Sequence, residues 1–280
     1  GRMSASAKFA GAADLTVSLS ADPSSAALPF EAAIESALLK FPALPAAAAE
    51  SGASGAAQGA AAGPTRVRVR GLALHFSGSP ADWRFTLAGR PEIEPSAPVL
   101  GRKVLEGVLD AAASGNFRGA GVEKCLLTTP LGSMKLEGRA DWSEHFVWRT
   151  ALEVDRVDVG RWVSKLPLKL TAALSGRGIV RTDGTFRIDE ASAKVDGTIQ
   201  QAPVKLDLAL SGEDGVSWKV PKLAFVLGRN TLDLKGEVEH LRGVTLDLAV
   251  NAPGLLNTIP GLKGSASGTV KLAGSLAHPI

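Results

Sequence analysis

The sequence predicts a mainly β protein, built from many short and mostly antiparallel strands with one apolar face each. Three observations carry this. Apolar and polar residues alternate in segment after segment, the period of a strand with one buried side. Many of these segments close on a small residue followed by glycine, as at Gly78, Gly89, Gly212 and Gly274, where turns are expected. A block of the pattern also recurs after about 96 residues, as it does in extended repeat architectures.

The elements follow in chain order. Leu15, Val17 and Leu19 share a face and predict a strand. Phe30, Ile34, Leu38 and Phe41 recur at three to four residues, with Glu31, Glu35 and Lys40 opposite. That spacing predicts a short amphipathic helix over about 30–41, stopped near Pro42. Residues 1–45 are thus expected to be strands plus a helix. Residues 46–63 are Ala, Gly and Ser broken only by Glu50 and Gln58, a composition too small in side chain to offset ordering entropy. They read as a flexible loop or linker. Of the 44 alanines in the chain, 26 fall in the first 100 residues, so the 45% hydrophobic content overstates what can build a core.

Residues 64–280 read as one repeating β segment. Arg66, Arg68 and Arg70 alternate with Val67 and Val69, then the phase flips at Gly71 to Leu72, Leu74 and Phe76, which predicts a β-bulge or bend there. Trp83, Phe85 and Leu87 form the next strand. Val104, Leu105, Val108, Leu109 and Ala112 predict a second helix over about 101–113, ended by Gly115. Val104, Leu105, Val108 and Leu109 would let it act as a plug or lid over the sheet, or cap an edge.

Beyond about residue 121 only strands are predicted. Their apolar faces carry Phe146, Trp148, Leu152 and Val154; Leu166, Leu168, Leu170 and Leu174; Val204, Leu206, Leu208 and Leu210; Leu232 and Leu234; Val244, Leu246, Leu248 and Val250; and Val270 and Leu272. Clean alternation points to antiparallel pairing, since parallel strands buried on both faces give continuous apolar runs. Gly132, Val154, Leu166, Leu174 and Gly178 recur as Gly228, Val250, Leu262, Val270 and Gly274, placing the two copies at 130–180 and 226–276. The whole pattern predicts about 15 to 18 strands.

Several classes of chemistry find no support. Cys125 is the only cysteine, so there is no intrachain disulfide and no cysteine-based zinc site; it reads as a small buried hydrophobe. His75, His145, His240 and His278 are not spaced as metal pairs and read as solvent-facing. Neither Gly119-Ala120-Gly121 nor Gly264-Ser265-Ala266-Ser267-Gly268 has the context of a phosphate loop or nucleophile elbow. Ser192 and Lys194 read as surface polar residues rather than a catalytic dyad. Trp83, Trp142, Trp148, Trp162 and Trp218 are scattered, as packing residues are. Arg66, Arg68 and Arg70 could meet lipid phosphates, but a solvated face that protects an edge is the favoured reading. A net charge of +3 and pI of about 9.1 are too mild to argue for nucleic acid. No apolar run is long enough to cross a membrane as a helix, and no signal peptide is visible. The chain reads as a segment of a longer protein that is neither an enzyme nor dependent on a metal or cofactor.

Asn230-Thr-Leu-Asp-Leu-Lys-Gly236, Leu246-Asp-Leu-Ala-Val-Asn-Ala-Pro-Gly-Leu255, Ile259-Pro-Gly-Leu-Lys-Gly264-Ser-Ala-Ser-Gly268 and Leu272-Ala-Gly274-Ser-Leu-Ala-His-Pro279 resemble the TamB family of the AsmA-like superfamily. Leu131-Gly-Ser-Met-Lys-Leu-Glu-Gly138-Arg-Ala-Asp-Trp142 resembles the same family's strand-turn-strand unit. The likeness covers 121–280 well and 65–90 loosely. It implies a long, twisted sheet curled like a taco around an open hydrophobic groove. It also implies a periplasmic place in a Gram-negative bacterium, with inner-membrane anchoring outside this segment.

The expected function is a non-catalytic segment of a lipid conduit between inner and outer membranes, with phospholipid acyl chains shielded in the groove. The alternative is a scaffold for outer-membrane protein assembly, autotransporters included, that works with the outer-membrane partner TamA by strand-edge augmentation.

Overall fold

In the computed structural model, the residues described are 2–9, 15–40, 66–94, 105–158, 168–199, 201–240, 243–253, 264–275 and 278–279. Among them every regular element is a strand. The chain divides into two compact units, Gly1–Asn116 with Glu123–Pro130, and Phe117–Val122 with Leu131–Ile280.

The first unit begins with β1 (Met3–Phe9), β2 (Leu15–Ala21), β3 (Phe30–Lys40), β4 (Arg66–Ser79) and β5 (Asp82–Glu94). It continues with β6 (Leu105–Glu106) and β7 (Val108–Asn116), and the division between the units falls within β8 (Gly119–Thr129). Each strand pairs antiparallel with the next, from β1 to β5 and then β5 with β6 and β7. Both predicted helices are therefore corrected to strands.

The physical reason lies in the small residues. A four-residue spacing is also twice a strand's period. Ala32 and Ser36 complete the alternation Phe30, Ala32, Ile34, Ser36, Leu38, but they carry too little apolar signal to show it. Around 105–113, Gly107 splits one continuous register between β6 and β7, its N–H donating to the Pro91 carbonyl at 2.8 Å. That break mimics a helical stripe. Leu105 lies in β6, Val108 and Leu109 in β7, and Val104 outside the described residues.

The expected bulge at Gly71 is present. The β4–β5 register shifts between Arg70 and Ala73, and Gly71 adopts a φ of 56°, a left-handed conformation that glycine takes without steric cost. Arg68 pairs with Glu94 at 2.9 Å and Arg70 with the buried Glu92. These two arginines are engaged by neighbouring carboxylates, in keeping with a protected surface.

The second unit is a longer meander: β9 (Gly132–Asp141), β10 (Phe146–Asp158), β11 (Leu168–Val180), β12 (Phe186–Ile199), β13 (Ala202–Glu213), β14 (Ser217–Leu227), β15 (Asn230–Glu239), β16 (Gly243–Ala252), β17 (Ala266–Ser275) and β18 (His278–Pro279). Every consecutive pair is antiparallel. The Ala-rich stretch 46–63 lies outside the described residues.

Almost no side chain is enclosed. The buried apolar residues among those described are Val69, Ala111, Leu131 and Ala252. A closed sandwich would bury the inward residues of two facing sheets. Here the other apolar residues described in the strands stay half-buried or exposed.

Candidate functional site: an apolar sheet face

The register of the second unit aligns its apolar positions into rows that cross the strands. One row runs Leu136, Leu152, Leu174, Ala193, Leu208, Leu223, Leu234, Leu248 and Val270, one residue from each strand from β9 to β17. A second, two residues along, runs Met134, Val154, Ala172, Val195, Leu206, Phe225, Leu232, Val250 and Gly268. A third toward the opposite rim runs Ala140, Trp148, Gly178, Ile188, Gly212, Trp218, Val238, Val244 and Gly274. Between the first and third lie Gly138, Thr150, Gly176, Ala191, Leu210, Val220, Gly236, Leu246 and Leu272.

None of these rows contains a charged side chain. Nine strands at about 4.8 Å spacing make the rows roughly 38 Å long, and six residues at about 3.4 Å make the face roughly 20 Å across. Leu136 is 37% exposed, Leu174 39% and Val270 53%, and Leu208, Leu223, Leu234 and Leu248 between them are half-buried. Leu223, Leu234, Leu248 and Val270 line a depression of about 330 Å³ together with charged neighbours such as Lys222, Asp233, Lys235, Asp247 and Lys271.

The register brings together nearly all the residues expected to line a groove. Phe146 and Val180 extend the face toward one rim, Leu170 and Val204 toward the other. Leu168 falls in register with Ile199, and Leu166 lies outside the described residues.

Sequence reasoning missed the contribution of β14. A register shift between Val220 and Leu223 at Pro221-Lys222 flips its phase, so Val220, Leu223, Phe225 and Leu227 do not alternate simply. It also missed Ala191, Ala193 and Val195 of β12, where alanine weakens the signal. The break in alternation at Pro221 is the sign that could have located β14.

The opposite face is polar and paired. Lys222 meets Asp207 at 2.5 Å, Lys235 meets Asp247 at 3.5 Å, and Lys135 meets Glu137 at 2.6 Å. The hydrogen bond from Lys222 holds the Asp207 carboxyl below its usual range, and the hydrogen bond to Glu137 raises the Lys135 ammonium. Such exposed pairs add little stability each. They keep the two faces chemically distinct.

The first unit repeats the design. Ala7, Val17, Ile34, Leu74, Leu87 and Ala111 form one row, and Ala5, Leu19, Ala32, Phe76, Phe85 and Ala113 the next. Phe30, Phe76 and Trp83 cluster on this side, with ring centroids 5.0 and 5.5 Å apart.

No group of three or more metal-ligating residues occurs among the described residues. Ser192 shares a 2.8 Å hydrogen bond with Ser175. His75 lies 3.7 Å from Glu31 at the surface. Cys125 is half-buried.

An antiparallel sheet with one continuous apolar face and one ion-paired face defines a class of open β proteins that present apolar surface instead of enclosing it. The chain belongs to the TamB N-terminal domain family, whose model matches residues 1–280. It is 25% identical over 167 residues to the translocation and assembly module subunit TamB of Haemophilus influenzae, an alignment covering 60% of this chain and 13% of that protein. No solved structure matches. Among the described residues no helix is long and apolar enough to cross a membrane.

Proposed function

We propose that the chain is a non-catalytic segment of a lipid conduit, in which phospholipid acyl chains lie against the apolar face as they pass between the inner and outer membranes. The observation that carries this reading is the register. Aliphatic positions from nine consecutive strands fall into uninterrupted rows without a charge. At about 0.8 kcal/mol per CH₂, exposing a sixteen-carbon chain costs roughly 12 kcal/mol, and a continuous aliphatic surface lowers that cost at every point along it. A face without placed polar groups suits an acyl chain better than a polar substrate. The proposal includes a sheet curled into a taco-like groove, a periplasmic location, and an inner-membrane anchor elsewhere in the full protein. Descent from a shared family supports this reading, with the TamB name of the relative.

Two measurements test it. Mass spectrometry of lipid extracted from the purified protein should find phospholipid; a lipid-free protein would sink the proposal. Leu208→Arg and Leu248→Asp, in the middle of one row, should block lipid transport in cells while leaving the fold intact. Unimpaired transport in both folded variants counts against the conduit.

One observation favours a second reading, a scaffold that receives β-strands of outer-membrane proteins together with TamA. β17 pairs with β18 only at Gly274 and Ser275, leaving most of its outer edge without a strand partner among the described residues. Crosslinking separates the two readings: a conduit yields lipid contacts at Leu208 and Leu248, and a scaffold yields protein contacts along Ala266–Ser275.

A further inference from the structure

The polar face of the second unit has one place where its charge pattern breaks. At several other positions a strand cation stands opposite a carboxylate, as Lys135 does to Glu153, Lys169 to Asp158, Lys194 to Asp207, and Lys235 to Asp247. Arg149 on β10 instead stands opposite Arg139 on β9 and Arg177 on β11. Three arginines thus stand abreast on adjacent strands, whose backbones lie about 4.8 Å apart.

Like charges directly opposite in a sheet oppose folding, and little compensates here. Arg177 reaches Glu190 at 3.3 Å. Asp141, along β9 from Arg139, attracts Arg139 and Arg118 through space but accepts its hydrogen bonds from the backbone N–H and hydroxyl of Ser143, and Glu137 meets Lys135. Arg149 has Val147 and Ala151 as its same-face neighbours along the strand and no ion pair among the described residues.

One exposed apolar residue stands on the same face, and two more lie in nearby turns. Val147, on the arginine face, is 46% exposed. Trp142 and Phe117, in the adjoining turns, are 42% and 69% exposed, and the Trp142 indole N–H donates to the Phe117 carbonyl at 2.7 Å. Arginine and aromatic residues are the side chains that dominate protein-binding hot spots. A guanidinium also offers a planar fork that matches a carboxylate.

We propose that Arg139, Arg149 and Arg177 form a docking surface for a carboxylate-rich segment of a partner protein, with the exposed Val147 beside them on the same face. The surface lies on the face opposite the apolar rows, so it stands whether or not those rows carry lipid. Bound carboxylates replace the repulsion among the arginines with charge-assisted hydrogen bonds. The free protein gives up stability at this position, and the complex recovers it.

The test uses the 280-residue chain and a fluorescein-labelled octapeptide of alternating glutamate and alanine, read by fluorescence anisotropy at low ionic strength. Wild type should bind it. Arg149→Glu should weaken binding about tenfold or more, Arg149→Ala should weaken it less, and Lys235→Gln, on the same face but outside the cluster, should leave it unchanged. Arg149→Glu should also melt at a higher temperature than wild type, because glutamate there faces two arginines. No binding by wild type, or equal binding by wild type and Arg149→Glu, overturns the proposal. So does Arg149-dependent binding to phosphatidylglycerol vesicles with none to the peptide, which would assign the surface to a membrane. A lower melting temperature for Arg149→Glu would overturn the like-charge argument.

Discussion

At the scale of single residues, the turns and close approaches show why this sequence makes hairpins. Asp22, Asp141 and Asp183 each accept from the backbone N–H and the hydroxyl of the residue two further on, namely Ser24, Ser143 and Thr185. The side-chain hydrogen bonds, followed by the backbone ones, hold all three carboxyls below their ordinary 3.8. A lowered native value stabilises the fold above the unfolded value, and that contribution is lost as pH falls through the native one. Asp183→Ala should therefore lower the melting temperature near neutral pH and make much less difference in strong acid, as thermal melts at the two pH values would show. Gly212 lies beneath a tryptophan: a Cβ there would sit 2.5 Å from the Trp218 ring. Gly212→Ala should displace the indole and cost about 1–3 kcal/mol, measurable by denaturant unfolding. Gln201 holds a φ of 69°, which costs a side-chain-bearing residue roughly 1–2 kcal/mol. Gln201→Gly should recover about 1 kcal/mol of that strain, read in the same assay.

At the scale of elements, the two segments that imitate helices show where local pattern stops being sufficient. Residues 30–40 satisfy periods of four and of two together, because Ala32 and Ser36 are too small to declare a side. Pairing with β2 and β4 decides the matter: Ser36 sits in register with Leu15 and Leu72 and is 3% exposed. Its hydroxyl has no hydrogen-bond partner, and a buried unpaired polar group opposes folding. Ser36→Ala should stabilise the protein by about 1 kcal/mol, whereas loss of stability in a thermal melt would show that the hydroxyl has a partner after all. The bulge at Gly71 was legible because the alternation itself changes phase there. The shift at Pro221-Lys222 obeys the same logic, but the shorter runs on either side of it conceal the strand.

At the scale of the whole molecule, the distribution of apolar side chains differs from that of a closed globule. In the second unit the charge-free rows of Leu, Val and aromatic residues lie on one side of the sheet and pairs such as Lys222–Asp207 and Lys235–Asp247 on the other, and almost nothing among the described residues is enclosed. Stability then rests on strand pairing and cross-strand contacts more than on a core. A charge placed on the apolar face, as in Leu208→Arg, should accordingly unfold the protein far less than the same change would in a packed interior, a contrast that circular dichroism can check alongside transport. Leu208 on β13 and Leu248 on β16 are three strands apart, about 14 Å, so the double variant Leu208→Ala with Leu248→Ala should show additive stability losses in unfolding titrations.

The sequence by itself determined that this is a β protein of one-sided strands, where most of its hairpins turn, which residues of each strand are apolar, and which family it resembles. Alternation and turn chemistry are local, and each strand states them without reference to its neighbours. Only the tertiary structure decided the register. It aligned Leu152, Leu208 and Leu248 into one row, carried β14 across its phase shift, turned two helical-looking segments into strands, and set Arg149 between two other arginines. Those outcomes depend on which residues of distant segments lie opposite one another, and a strand's own pattern records only which side it faces.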